Sequence, residues 1–190
     1  MSSPRAATTI TALILVSCLS GVVLANDAGS GGDAGNSTST AYSLSAVNAT
    51  YYGNLTDVSD ENDYYSISMP SNTGIYAELI SPGFNGSNVS GSSSTCYNAT
   101  SPPCDFDLML YSSTGSTIDS SYSTSGFDDV SSNGTNVGGT TVYVNIDQWD
   151  GDGQYALIIN IFSTSTGGGG AGSNQNDAKT ATTKYILVNG

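Results

Sequence analysis

Four acidic side chains crowd one short stretch: Asp57, Asp60, Glu61 and Asp63, following Gly53-Asn54-Leu55 and leading into Tyr64-Tyr65-Ser66-Ile67. No cation lies nearby in sequence, so these carboxylates repel one another, and a hard divalent ion would relieve the repulsion. Ca²⁺ takes six to eight oxygens from carboxylates, carbonyls and Asn side chains, and it suits flexible loops. Asp60 and Asp63 flank the entry to a strand-like segment, where an ion would pin loop to sheet. Asp27, Asp33 and Asn36, further towards the N-terminus, are able to complete such a shell. An ordinary solvated acidic turn is the other reading of the same residues.

Other residues offer chemistry less directly. Asp105 and Asp107 share one face of a strand, because i and i+2 side chains point the same way, and paired carboxylates run glycoside hydrolysis. No second base or cleft-forming segment accompanies them, so the expectation is a structural role and no enzymatic activity. Asp150-Gly151-Asp152-Gly153 has the look of a calcium loop. An EF-hand requires a Glu at position twelve and flanking helices, and strand-like sequence stands there instead, so a hairpin turn is expected. Trp149 is the single tryptophan; it serves either as a sugar-stacking platform or as a rim residue. Serines abound, but the chain has no histidine to activate one.

The composition narrows the classes further. Among 190 residues there are sixteen Asp+Glu, three Lys+Arg and no His, for a net charge of −13. The cations, Arg5, Lys179 and Lys184, all lie near the ends. Nucleic-acid binding needs Lys/Arg to neutralise phosphate, so no nucleic-acid partner is expected. An anionic membrane surface is disfavoured for the same reason. The hydrophobic fraction of 37% still suffices for one modest core.

Residues 1–25 read as a signal peptide, with Arg5 as the n-region, an uncharged run after it, and Val23-Leu24-Ala25 as the cleavage site. A retained anchor is the alternative, since about twenty apolar residues span a bilayer; lipidation at Cys18 is a third. Each of these exports the rest of the chain, to the cell surface or the extracellular space, with no membrane contact once the signal is cleaved. With Cys18 removed, Cys96 and Cys104 remain, and an even count in an exported protein reads as a disulfide. Sequons stand at Asn36, Asn48, Asn54, Asn85, Asn88, Asn98 and Asn133. They make the chain a candidate glycoprotein, though roughly four or five are expected by chance in so Asn- and Ser/Thr-rich a sequence.

These residues must be held by strands. Residues 26–39 form a polar Gly/Ser/Asp leader, and 163–190 a flexible linker and tail ending in a strand-like piece, Tyr185–Val188. Between them, residues 40–162 carry period-2 alternation. Tyr65, Ile67 and Met69 form one set; Ile75, Ala77 and Leu79 another; Phe106, Leu108 and Leu110 a third; Val142, Val144 and Ile146 a fourth. Tyr155, Leu157, Ile159 and Ile161 form the longest, and the interleaved Ala156 and Ile158 predict a central strand. Residues 84–104 are too polar for a strand and read as a surface insertion closed by the disulfide. The pattern predicts an all-β, jelly-roll-like β-sandwich of about eight short strands.

The order of several pieces resembles the bacterial-type pre-peptidase C-terminal (PPC) domain, akin to the collagen-binding domains of clostridial collagenases. The pieces are Asp33-Ala34-Gly35-Asn36; Gly53–Leu55; Asp60-x-x-Asp63-Tyr64-Tyr65; Asp105-Phe106-Asp107-Leu108-x-Leu110-Tyr111 with Gly115; and Gly153-x-Tyr155-x-Leu157. The resemblance runs from about residue 26 to 162 and implies a jelly-roll sandwich. In the collagen-binding relatives a leader joins a Ser-Asp-x-x-Asp loop around calcium. Ser59-Asp60-Glu61-Asn62-Asp63 matches that loop, which implies Ca²⁺ at Asp60 and Asp63, with Asp33 and Asn36 from the leader. The resemblance also implies an accessory module for an extracellular polysaccharide or protein, or for a secreted hydrolase in trans. A structural filament subunit that assembles through Tyr185–Val188 is the alternative.

Overall fold

The computed structural model describes residues 26–56, 60–84, 95–133 and 135–164. The signal peptide, Cys18, Asp57, the sequons at Asn85 and Asn88, the tail and Tyr185–Val188 lie outside the described residues.

Nine strands follow a short 3-10 turn at Asp27–Gly29: β1 (Tyr42–Leu44), β2 (Ala49–Leu55), β3 (Asn62–Ser68), β4 (Thr73–Ile80), β5 (Asp105–Tyr111), β6 (Thr117–Ser121), β7 (Phe127–Ser131), β8 (Thr141–Asp150) and β9 (Gly153–Ser163). One sheet has the order β1-β3-β8-β5-β6 and the other β2-β9-β4-β7. Strands β2 to β9 therefore wind as two interlocked Greek keys, which is the jelly-roll path. The expected eight strands are these, and β1 is a ninth that pairs parallel to β3.

Alternation explains which side chains fill the sandwich. Tyr65 and Ile67 of β3, Phe106, Leu108 and Leu110 of β5, and Val142, Val144 and Ile146 of β8 are all fully buried. Facing them from the other sheet are Ile75, Ala77 and Leu79 of β4 and Tyr155, Leu157 and Ile159 of β9. Strand β9 lies between β2 and β4, as its apolar character on both faces predicts. Phe106 meets Tyr155 edge-to-face at 6.4 Å, joining the two sheets beneath the candidate site.

The segment after β4 contains no strand among its described residues, and Cys96 and Cys104 are disulfide-bonded. The Asp150–Gly153 motif is not the expected hairpin turn but a crossing between the sheets: β8 ends at Asp150 in one sheet, β9 starts at Gly153 in the other, the two do not pair, and Gly151 takes a left-handed φ of 84° in the turn.

The polar leader is docked. Ala34 is 1% exposed and joins the core. Its carbonyl accepts the Tyr42 N–H at 3.0 Å, and the Gly35 carbonyl accepts the Tyr64 N–H at 2.9 Å. The leader is thereby hydrogen-bonded to β1 and β3, and its acidic residues sit against the entry to β3.

Candidate metal centre

Asp63 belongs to the same inward-facing row as Tyr65 and Ile67, so the alternation of β3 drives a carboxylate into the end of the core. It is fully buried and lies across from Ile146 of β8. The Tyr155 hydroxyl donates to Asp63 Oδ2, and the Tyr65 and Tyr155 hydroxyls are 2.6 Å apart. With Tyr155 donating to the carboxylate, Tyr65 donates to Tyr155. Two tyrosines thus orient one carboxylate through a buried relay, leaving Asp63 Oδ1 aimed away from it.

Asp27 approaches from the leader. The 3-10 turn and the Asp27 N–H to Gly32 carbonyl bond (3.1 Å) fold the leader back on itself. Asp27 Oδ1 accepts the Asn54 N–H of β2 at 2.8 Å, and the side chain is fully buried. Asp33 is exposed, and its Oδ1 is fixed by the Gly35 N–H at 2.9 Å. Asp60 is buried behind the bridge between Thr56 and Asp60 that closes the loop ahead of β3.

The carboxylates converge. One oxygen each from Asp27, Asp33 and Asp63 lies within 4.8 Å of the others. Asp60 stands close enough to Asp33 and Asp27 for their charges to act on its carboxyl. Asp27 Oδ2, Asp60 Oδ1 and Asp63 Oδ1 are all buried and accept no hydrogen bond. A buried carboxylate oxygen without a donor is costly, and several that face one another are more so. No lysine or arginine falls among the described residues to offset them. The acid–base properties follow from this crowding. Burial, then repulsion from Asp27, raises the Asp63 carboxyl to about 8, against the donated Tyr155 bond. Burial and the neighbouring Asp33 and Asp27 raise Asp60 to about 7. Burial raises Asp27 to about 6, partly countered by backbone N–H groups.

The donor set fits a hard cation. It consists of carboxylate oxygens, drawn from a leader turn, a loop and a strand end, with no thiolate or imidazole. Of the four residues named for the metal from sequence, Asp33 and Asp63 belong to the set within 4.8 Å, Asp60 stands beside it, and Asn36 is not part of it. Asn36 belongs to the same leader segment and is exposed. The buried anchor of the leader is Asp27, and its tie to β2 through Asn54 crosses 27 residues of sequence.

Sequence reading names Gly53 but not its role. It pairs with Tyr155 across β2 and β9, and a Cβ at position 53 would land on the Tyr155 hydroxyl and ring. The absent side chain is what lets that hydroxyl reach Asp63. Gly53→Ala is expected to cost about 1–3 kcal/mol by overpacking and to weaken any cation response, because Tyr155 must shift. Gly32→Ala, where a Cβ meets nothing within 4 Å, is the control. Thermal melts of both variants check this, and equal melting points would remove Gly53 from the site's support.

The remaining candidates lie elsewhere. Asp107 is nearly buried and pairs across to Asp147; burial, then Asp105, Asp128 and Asp147, raise its carboxyl to about 6. Burial, then Asp150, also raises Asp105. Trp149 is 77% exposed, near the C-terminal end of β8.

No protein-family model matches this chain, and no curated protein does. Solved structures do show similarity. One is the pre-peptidase C-terminal domain of a collagenase from Bacillus anthracis, 15% identical, covering 63% of this chain and 93% of that one, with a TM-score of 0.43. Another is PliG from Aeromonas hydrophila, a periplasmic inhibitor of g-type lysozyme, 9% identical, covering 64% and 96%, with a TM-score of 0.39. Both likenesses are distant.

Proposed function

We propose that this chain is an exported, non-catalytic β-sandwich module of PPC type, stabilised by Ca²⁺, that binds a polysaccharide or protein outside the cell. The carrying observation is the convergence of Asp27, Asp33, Asp60 and Asp63, with three buried carboxylate oxygens that no donor reaches. Asp27 and Asp33 would hold the ion from the leader, Asp60 from the loop and Asp63 from the strand. The ion would supply charge balance and a cross-link between leader and sandwich. Ca²⁺ is favoured over Mg²⁺ because it accepts irregular, partly protein-built oxygen shells, whereas Mg²⁺ demands near-ideal octahedra and retains its waters. The module reading is supported by the ordered sequence motifs, by the export signal read from residues 1–25, and by a sequence without histidine to serve as a base.

Calorimetric titration of the purified protein with CaCl₂ tests the centre. Saturable binding is expected, weakened at least tenfold in Asp27→Asn and Asp63→Asn and unchanged in Asp150→Asn. Absent binding, or equal affinity in all variants, would remove the ion from the reading.

A further inference from the structure

The sole tryptophan does nothing for the core. Between Asp105 and Phe106 the register of β5 on β8 shifts, so that Asp105 faces Asp150 while Phe106 faces Gln148. Trp149 is the extra residue of this bulge, and bulges re-aim side chains. Its indole stands 77% exposed against a cavity of about 240 Å³ whose other walls include Glu61, Asn98, Gln148, Asp150 and Asp152. A large aromatic ring left in water beside a polar cavity calls for an account outside folding.

The cavity walls are braced. Tyr97 and Asp152 exchange backbone hydrogen bonds of 2.9 and 2.7 Å, which staple the disulfide loop to the β8–β9 turn. The Thr100 N–H reaches Asp150 Oδ2 at 2.8 Å. Asn98 donates to Asp152, and Gln148 Nε2 donates to Asp152 Oδ1 at 2.8 Å. The Gln148 N–H holds the Glu61 carbonyl at 2.9 Å and fixes Glu61 beside the ring. A Cβ at Gly151 would strike both disulfide sulfurs, so the turn packs directly on the Cys96–Cys104 bridge.

We propose that this cavity binds one unit of a neutral polysaccharide, with the indole stacked on the sugar ring and Glu61 and Asp150 accepting its hydroxyls. This rests on the reading of the chain as an exported binding module, and it decides between the two ligand classes left open there. The volume is below the roughly 300–1,000 Å³ of pockets for drug-sized ligands, which suits a single ring. The negative face of the indole attracts the polarised C–H groups of a sugar face. A protein partner would need about 800 Å² on each side around a desolvated aromatic anchor, whereas Trp149 adjoins carboxylates and amides. Those carboxylates, with no basic residue beside them among the described residues, disfavour uronate and sulfated chains.

Because Trp149 is the only tryptophan, its fluorescence reports this site alone. The full-length protein in CaCl₂ is titrated with laminarihexaose, cellohexaose, chitohexaose and oligogalacturonate, and run in native gels containing the parent polysaccharides. A blue-shifted or quenched emission with at least one neutral hexaose and none with oligogalacturonate is expected. Gel retardation should fall at least tenfold in Trp149→Ala, less in Trp149→Tyr, and several-fold in Glu61→Gln, with melting points unchanged. The assignment is overturned if no neutral hexaose moves the emission, if retardation survives Trp149→Ala, or if only a basic peptide such as hexa-arginine moves it. Retardation that survives Trp149→Ala leaves the module reading intact and fails the site. Failure of every polysaccharide while a protein ligand binds fails the glycan class alone.

Discussion

Asp63→Asn is expected to raise the melting temperature in EGTA at pH 9 and to lower it in millimolar CaCl₂, and this change of sign separates a cation centre from a solvated acidic turn. The pH is chosen above the value of about 8 to which burial and Asp27 raise the Asp63 carboxyl, so that wild type carries the charge. Asparagine keeps an acceptor for the Tyr155 hydroxyl and removes the charge alone. Without an ion, each close carboxylate pair at the observed separation of up to 4.8 Å repels by about 3 kcal/mol at an effective dielectric near 20. Losing one member is therefore stabilising. At about 2–4 °C per kcal/mol for a domain of this size, a rise of several degrees is expected. With calcium at about 1,000 times its dissociation constant, wild type gains about 4 kcal/mol by mass action, on the order of 10 °C. The variant forfeits most of that gain. A solvated turn would give small shifts of one sign in both buffers, and that result would end the cation reading.

The sign change depends on burial, and burial is the part of the site least legible in the sequence. Asp60 and Asp63 stand out as a dense acidic pair at a strand entry, and Asp33 can be added from the leader. That Asp63 points inward follows from the phase of Tyr65 and Ile67, two residues apart along β3. The depth of Asp27 has no such local signal. A Gly/Ser/Asp leader reads as solvated, yet Asp27 is fully buried because Ala34 docks in the core and the Asn54 N–H reaches across from β2. The relay of Tyr65, Tyr155 and Asp63 is hidden for the same reason: 92 residues separate Tyr155 from Asp63. Gly53 is visible only as part of the Gly53–Leu55 motif until its register against Tyr155 is known.

The strands divide on the same physical line. β3, β4, β5, β8 and β9 show period-2 patterning because each carries an uninterrupted row of apolar side chains into the sandwich. β6 (TIDSS) and β7 (FDDVS) are edge strands whose inner faces are partly polar, and their alternation is masked by serines and aspartates. On β7 the inward Asp128 is satisfied on one oxygen by Ser121 and by the Ser123 N–H, a local solution that composition cannot display. β2 (ATYYGNL) loses its rhythm to adjacent tyrosines and to the glycine that makes room for Tyr155.

The pH dependence of stability is expected to be steep without calcium and nearly level with it. In EGTA the folded carboxyls of Asp27, Asp60 and Asp63 titrate near 6, 7 and 8, whereas the unfolded chain releases these protons near 3.8. Between about pH 4 and 8 the folded protein therefore holds protons that the unfolded chain has lost. Stability must fall as pH rises through that window. Asp63 alone contributes a slope of about 1.4 kcal/mol per pH unit until it ionises. The three groups are coupled, so the curve belongs to the cluster and not to one residue. Asp107, raised to about 6, adds to the same sign at the lower end. With calcium in excess the ion holds the cluster ionised, and protons become competitors. Folded and unfolded chains then both lack these protons, so the cluster adds almost no slope wherever the ion stays bound, and stability falls with pH only at the low end, where protons displace the ion. Thermal melts across pH 5–9 in the two buffers should give curves that converge at low pH and separate progressively above about pH 6. The separation should collapse in Asp63→Asn. Parallel curves, or EGTA stability that is flat from pH 5 to 8, would show that the carboxylates are charge-balanced by something other than a proton or an ion.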